Sequence, residues 1–157
     1  MRGGVLMKIA IGNDRKGLEY KQIIKQWLIS KGYEVIDVGT NEDVPCDYPI
    51  YGERVAKLVA DGMCQRGIVI CSSGVGISIV ANKVNGIRCG LAYCDEVAEL
   101  MRKHNDANII AFGQSYMDID DVKRRVDIFL KTEFLGSYHQ KRIDLITQIE
   151  NEMGGLI

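Results

Sequence analysis

Cys71-Ser72-Ser73-Gly74-Val75-Gly76-Ile77-Ser78 sets a thiol at the end of an apolar run and follows it with small residues that open a helix. Such a turn presents backbone N–H groups and the positive end of a helix dipole. Both stabilise an anion beside the sulfur and favour its thiolate form. The competing reading is a buried small hydrophobe followed by a tight strand-to-helix turn. A dinucleotide fingerprint is incomplete here, because Ile79 stands where the third glycine belongs, and the absence of a GK[ST] triplet removes the nucleoside-triphosphate loop. A second cluster, Gly12-Asn13-Asp14-Arg15-Lys16-Gly17, pairs a carboxylate that can hold a sugar hydroxyl with cations that can hold a phosphate; as an alternative, Asp14 is only a helix N-cap. In the third, Lys103-His104-Asn105-Asp106-Ala107-Asn108, His104 could act as acid or base near neutral pH, or simply place a favourable charge at a helix C-terminus.

The elements that position these clusters alternate. Lys8 to Gly12, Tyr33 to Val38, Gly67 to Cys71, Ile87 to Ala92 and Asn108 to Phe112 read as short strands. Lys16 to Lys31, Tyr51 to Asp61, Val75 to Val84 and Asp95 to Lys103 read as the helices between them. The loop with Pro45 and Pro49 is expected to precede the second helix. Two more helices are expected, at 119–131 and 139–152. The pattern predicts an α/β, Rossmann-like three-layer sandwich with a five-stranded parallel sheet and an extra C-terminal helix. Ligands bind at the C-terminal strand ends of such sheets, and all three clusters are expected on that edge. The spare amphipathic C-terminal helix favours a dimer.

Length and composition agree with one unit over 7–152, preceded by residues 1–6 as an extension or expression remnant. The 157 residues suffice for a single core. Twenty basic against 21 acidic residues leave a net charge of −1, which gives no electrostatic footprint for nucleic acid. No apolar run approaches the ~18 residues of a membrane span, and the N-terminus carries no secretory core. Five cysteines without a CxxC pair read as reduced thiols in a cytoplasm. His104 and His139 stand at no metal-ligand spacing from a cysteine pair, so neither metal nor cofactor is expected.

Eight ordered blocks resemble the type B ribose-5-phosphate isomerases and the related galactose-6-phosphate isomerases. They are Gly12-Asn13-Asp14, Val38-Gly39-Thr40, Asp47-Tyr48-Pro49, Gly67 to Cys71 with its glycine turn, Ala81-Asn82-Lys83-Val84, Gly86-Ile87-Arg88, His104 to Asn108, and His139 to Arg142. The resemblance runs from Met7 to about Glu150. It implies a metal-free aldose–ketose isomerase acting through a cis-enediolate on a small sugar phosphate. It also implies a homodimer with sites between subunits; pairing of dimers into a tetramer stays open. By this resemblance Cys71 is the base, and Ser72, Ser73, Gly74, Val75 and Gly76 form the anion hole, with Ser73 keeping the hydroxyl of the usual threonine. His104 assists ring opening, and Asp14, Tyr48 and Asn105 hold sugar hydroxyls.

Departures gather at the phosphate end. Arg15 replaces a histidine and can bind phosphate more strongly. Ser115 stands where the family has an arginine after strand five, and Tyr138 replaces one of two C-terminal arginines, leaving Arg142. The substrate could therefore be ribose 5-phosphate, a sugar phosphate of other length, or an unphosphorylated aldose; a non-catalytic sugar-phosphate-binding protein is the reading from another class.

Overall fold

A computed structural model describes residues 7–155; the extension expected over 1–6 lies outside the described residues. Among the described residues there are five strands: β1 (Lys8–Asn13), β2 (Glu34–Asp37), β3 (Arg66–Cys71), β4 (Cys89–Leu91) and β5 (Ile109–Gly113). All pair in parallel, in the order β2-β1-β3-β5-β4. The central strands β1, β3 and β5 are almost wholly buried, which explains why their sequences are continuous apolar runs and not alternating ones.

Alternate strand residues feed two cores. Ile9, Ile11, Ile68, Ile70, Ile110 and Phe112 pack beneath α1 (Leu18–Ser30), α4 (Asp95–Lys103) and α5 (Ile119–Lys131). Ala10, Val69, Cys71, Ile109 and Ala111 face α2 (Tyr48–Ala60) and α3 (Val75–Ala81). The thiol of Cys71 thus belongs to the α2/α3 side. The last helix, α6 (Tyr138–Gly154), buries His139 and Ile143 and leaves Leu145, Ile146, Ile149 and Met153 exposed. Among the described residues no helix is long and apolar enough to cross a membrane.

Two boundaries differ by three residues from the sequence expectation, the others by at most two. Helix α2 starts at Tyr48, three residues early, because Pro49 sits in its first turn, where a missing N–H removes no helical bond. Helix α3 stops at Ala81, and Asn82 leaves it to bond both backbone groups of Cys89: its Nδ2 donates to the carbonyl and its Oδ1 accepts from the N–H.

Candidate active site

The sheet order puts a switch point between β1 and β3, since β1 leads outward to β2 while β3 leads the other way. Asn13, Asp14 and Cys71 stand at these two C-terminal ends. Cys71 is 5% exposed, and the backbone N–H of Gly74 donates to its Sγ at 3.2 Å. Gly74 reaches this pose with φ +81°, and a Cβ there would lie 2.7 Å from Leu91 and 2.8 Å from the Phe112 backbone. Only glycine fits both demands.

Beyond Gly74 the first intrahelical bond of α3 runs from Ser78 N–H to the Gly74 carbonyl at 3.2 Å, so the amides of Val75, Gly76 and Ile77 precede the ladder. Val75 N–H is taken by Ser73 Oγ at 3.3 Å. Gly76 packs against Tyr48, whose Cζ lies 2.7 Å from where a Cβ would stand. The phenol therefore covers the start of α3 from the N-terminus of α2. The loop is braced from β5: Gln114 N–H donates to the Cys71 carbonyl (2.9 Å), Ser115 N–H to the Ser72 carbonyl (3.0 Å), and the Ser72 and Ser115 hydroxyls meet at 2.9 Å.

Asp14 is 9% exposed and accepts from Lys16 N–H at 3.0 Å, so it does cap the 3-10 turn of Arg15–Gly17. Burial pushes its carboxyl above the ordinary value, outweighing the backbone N–H bonds that favour the charged form. Arg15 Nε donates to Asp43 at 2.8 Å, and both residues line a cavity of about 290 Å³ together with Glu19 and Gln114. That pair is exposed and contributes little to stability.

His104, Asn105 and Arg142 are elsewhere, which corrects the expectation of a shared edge. A helix between parallel strands runs back against them, so the end of α4 lies at the N-terminal edge of the sheet. Asn108 accepts from Gly67 N–H there, at 2.9 Å. Cys71 lies four residues beyond Gly67 along β3, roughly 13 Å away at ~3.3 Å per residue. At the N-terminal edge His104 stacks on His139, with ring centroids 4.3 Å apart, and Tyr138 tilts against His139 at 4.1 Å. The Arg142 guanidinium lies 5.2 Å from the Tyr138 ring. Burial, with His104 and Arg142 nearby, holds the His139 imidazole below its ordinary pKa. The carbonyl of Asn105 accepts from Arg88 Nε at 3.0 Å, and Asp106, at φ 45°, binds both Arg88 and Arg102. The expected site residues therefore fall on opposite edges of one chain: Asp14, Arg15, Tyr48 and Cys71 to Gly76 on one, His104, Asn105 and Arg142 on the other.

Sequence reasoning left Asn13, Lys21, Thr40 and Gln114 without a role, yet all four brace the Cys71 edge. Asn13 and Thr40 fall within the motifs of the resemblance. Nothing in the helical spacing of α1 distinguishes Lys21 from a solvated lysine.

The family model described as ribose/galactose isomerase matches residues 9–146. Ribose-5-phosphate isomerase B of Escherichia coli K12 is 43% identical over 145 residues, 92% of this chain and 97% of that protein. Among solved structures, Clostridium thermocellum ribose-5-phosphate isomerase B has TM-score 0.92 at 46% identity, covering 94% of this chain and 99% of the other. The Mycoplasma genitalium ribose-5-phosphate isomerase B with bound ribulose-5-phosphate has TM-score 0.89 at 37% identity, covering 92% and 97%.

Proposed function

The chain belongs to the ribose/galactose isomerase family, and on that premise we propose that it interconverts ribose 5-phosphate and ribulose 5-phosphate by cysteine-based proton transfer. The observation that carries the reading is the Gly74 N–H aimed at Cys71 Sγ from 3.2 Å, an interaction that an anionic sulfur uses better than a neutral thiol.

From the aldose side, the Cys71 thiolate takes the proton from C2 of the open-chain sugar, and the electron pair passes to the C1 carbonyl oxygen. The product of that step is a cis-enediolate. Cys71 then returns the proton to C1, while the O2 hydrogen passes to O1 and C2 becomes the ketone. One C–H bond is broken and one formed, and no outside oxidant or reductant is consumed. Amides of the Ser72 to Gly76 loop hold the developing oxyanion, with the Ser73 hydroxyl beside them. Asp14 and Tyr48 hold sugar hydroxyls, and Arg15 takes the phosphate in exchange for Asp43.

His104 assists ring opening, and Asn105 and Arg142 complete the hydroxyl and phosphate contacts. Since these three sit on the opposite edge of their own chain, they serve the site of a second copy. A two-fold homodimer joins each Cys71 edge to a His104 edge and makes two sites. A reducing cytoplasm suits such an enzyme, whose five cysteines are all free.

The test is aldose–ketose conversion by the purified protein, followed by NMR over four- to six-carbon sugars, each offered with and without its terminal phosphate. Preference for ribose 5-phosphate by orders of magnitude is the expected result. Turnover of free sugars alone would move the substrate class, and binding of sugar phosphates without turnover would replace the isomerase reading by that of a binding protein.

A further inference from the structure

Lys21 has no exposed surface, yet it carries a charge at the beginning of α1. Its ammonium spends its hydrogens on the Thr40 carbonyl (2.7 Å), Asn41 Oδ1 (2.7 Å) and the Asp37 carboxylate (3.0 Å). Burying an ammonium is costly, and α1 could bury an apolar residue here at no such cost. What the charge organises is the loop after β2. Asp37 also accepts from Gly39 N–H at 3.0 Å. The Thr40 carbonyl held by Lys21 is shared by Asn13 Nδ2 at 3.2 Å, and the same Nδ2 donates to the Asp14 carbonyl at 2.8 Å. Thr40 N–H closes the loop onto the Asn13 carbonyl at 3.3 Å.

We infer that Lys21 is a positioning residue for substrate binding, acting through Thr40 and Asn13 to fix the turn that presents Asp14. Lys21 touches no substrate. It ties the end of β2 to the end of β1, so that the capped Asp14 carboxyl is held in one pose before a sugar arrives. The inference rests on the reading of Asp14 as a hydroxyl ligand. A hydroxyl contact made equally in the bound and transition states contributes to binding alone, so loosening it raises KM and leaves kcat nearly unchanged.

The experiment is a double-mutant cycle on the full-length protein with ribose 5-phosphate, reading KM and kcat separately. Lys21→Met keeps the apolar stem, and Asp37 retains Lys25 at 3.1 Å, so the carboxylate is not orphaned. Expected are a rise in KM of about fivefold or more for Lys21→Met, a larger rise for Asp14→Ala, and a double variant within about twofold of Asp14→Ala alone. Asn13→Ala cuts the same link without touching the buried charge and repeats the cycle should Lys21→Met not fold. Additive effects in both cycles would reduce Lys21 to a structural role and overturn the inference. An unchanged KM in Lys21→Met, with Asp14→Ala impaired, would overturn it while sparing Asp14; an unchanged KM in Asp14→Ala would end the reading of Asp14 and this inference with it.

Discussion

The Gly74 N–H and the Cys71 sulfur, 3.2 Å apart, join the strand end to the helix start through a backbone pose that only glycine holds without strain. The sulfur lies at the floor of the loop, against the α2/α3 core, and its donor is fixed by Leu91 and Phe112 behind it. Two variants separate the sulfur from its setting. Cys71→Ala removes the proposed base and is expected to cost more than about tenfold in kcat with the fold intact, checked by circular dichroism. Gly74→Ala keeps the thiol but strains the turn, and is expected to lower kcat together with the melting temperature. A Cys71→Ala protein that kept more than about a tenth of wild-type kcat would remove Cys71 as base.

Asp14 is expected to trade stability for function. Its folded pKa is raised by burial, so between the unfolded value and that raised value the folded state binds more protons than the unfolded one. Stability attributable to Asp14 therefore falls as pH rises through that window and stays lower at neutral pH. Asp14→Asn, which retains a capping oxygen, is expected to melt higher than wild type at pH 7, with the difference shrinking below the ordinary carboxyl pKa. Thermal melts at the two pH values read this directly, and a lower melting temperature at pH 7 would contradict the sign.

The proposed homodimer, with Cys71 and His104 on opposite edges of each chain, predicts complementation. Neither Cys71→Ala nor His104→Ala homodimers have a complete site, but a mixed dimer pairs the intact Cys71 of one copy with the intact His104 of the other. Random reassortment of equal amounts makes about half the dimers mixed, each with one good site, so about a quarter of wild-type activity should return. No recovery after unfolding and refolding the mixture would place both residues in one chain's site.

Arg15 and Asp43 give opposite expectations. Arg15→Ala should raise KM for a phosphorylated sugar much more than for its free counterpart, because a cation at the phosphate is lost. Asp43→Ala should lower it, since Arg15 is released from its 2.8 Å partner. The pair is exposed, so neither change should move the melting temperature by more than a few degrees. Equal effects of Arg15→Ala on both sugars would remove it as a phosphate ligand.

The strands were legible because β1, β3 and β5 are buried on both faces and their residues are nearly all apolar. Cys71 and its loop were legible for a local reason, a thiol followed by glycines where a strand meets a helix. Pro49 was assigned to the preceding loop because a proline in the first turn of a helix and one in a loop look alike in sequence. His104 misled through chain direction: adjacency in sequence to β5 hides that the end of α4 faces the N-terminal edge. Lys21 had no signal, since amphipathic spacing assigns a lysine to water and its partners Thr40 and Asn41 come from a loop about twenty residues on.

Proton transfer by Cys71 is tested most directly by running the ribose 5-phosphate reaction in deuterium oxide and following C1 and C2 by NMR. The account predicts solvent deuterium at C1 of the ribulose 5-phosphate formed, and no exchange or conversion with Cys71→Ala. Complete retention of the original C2 hydrogen at C1, at a rate that Cys71→Ala shares, would mean an internal hydride shift and would contradict the cysteine mechanism.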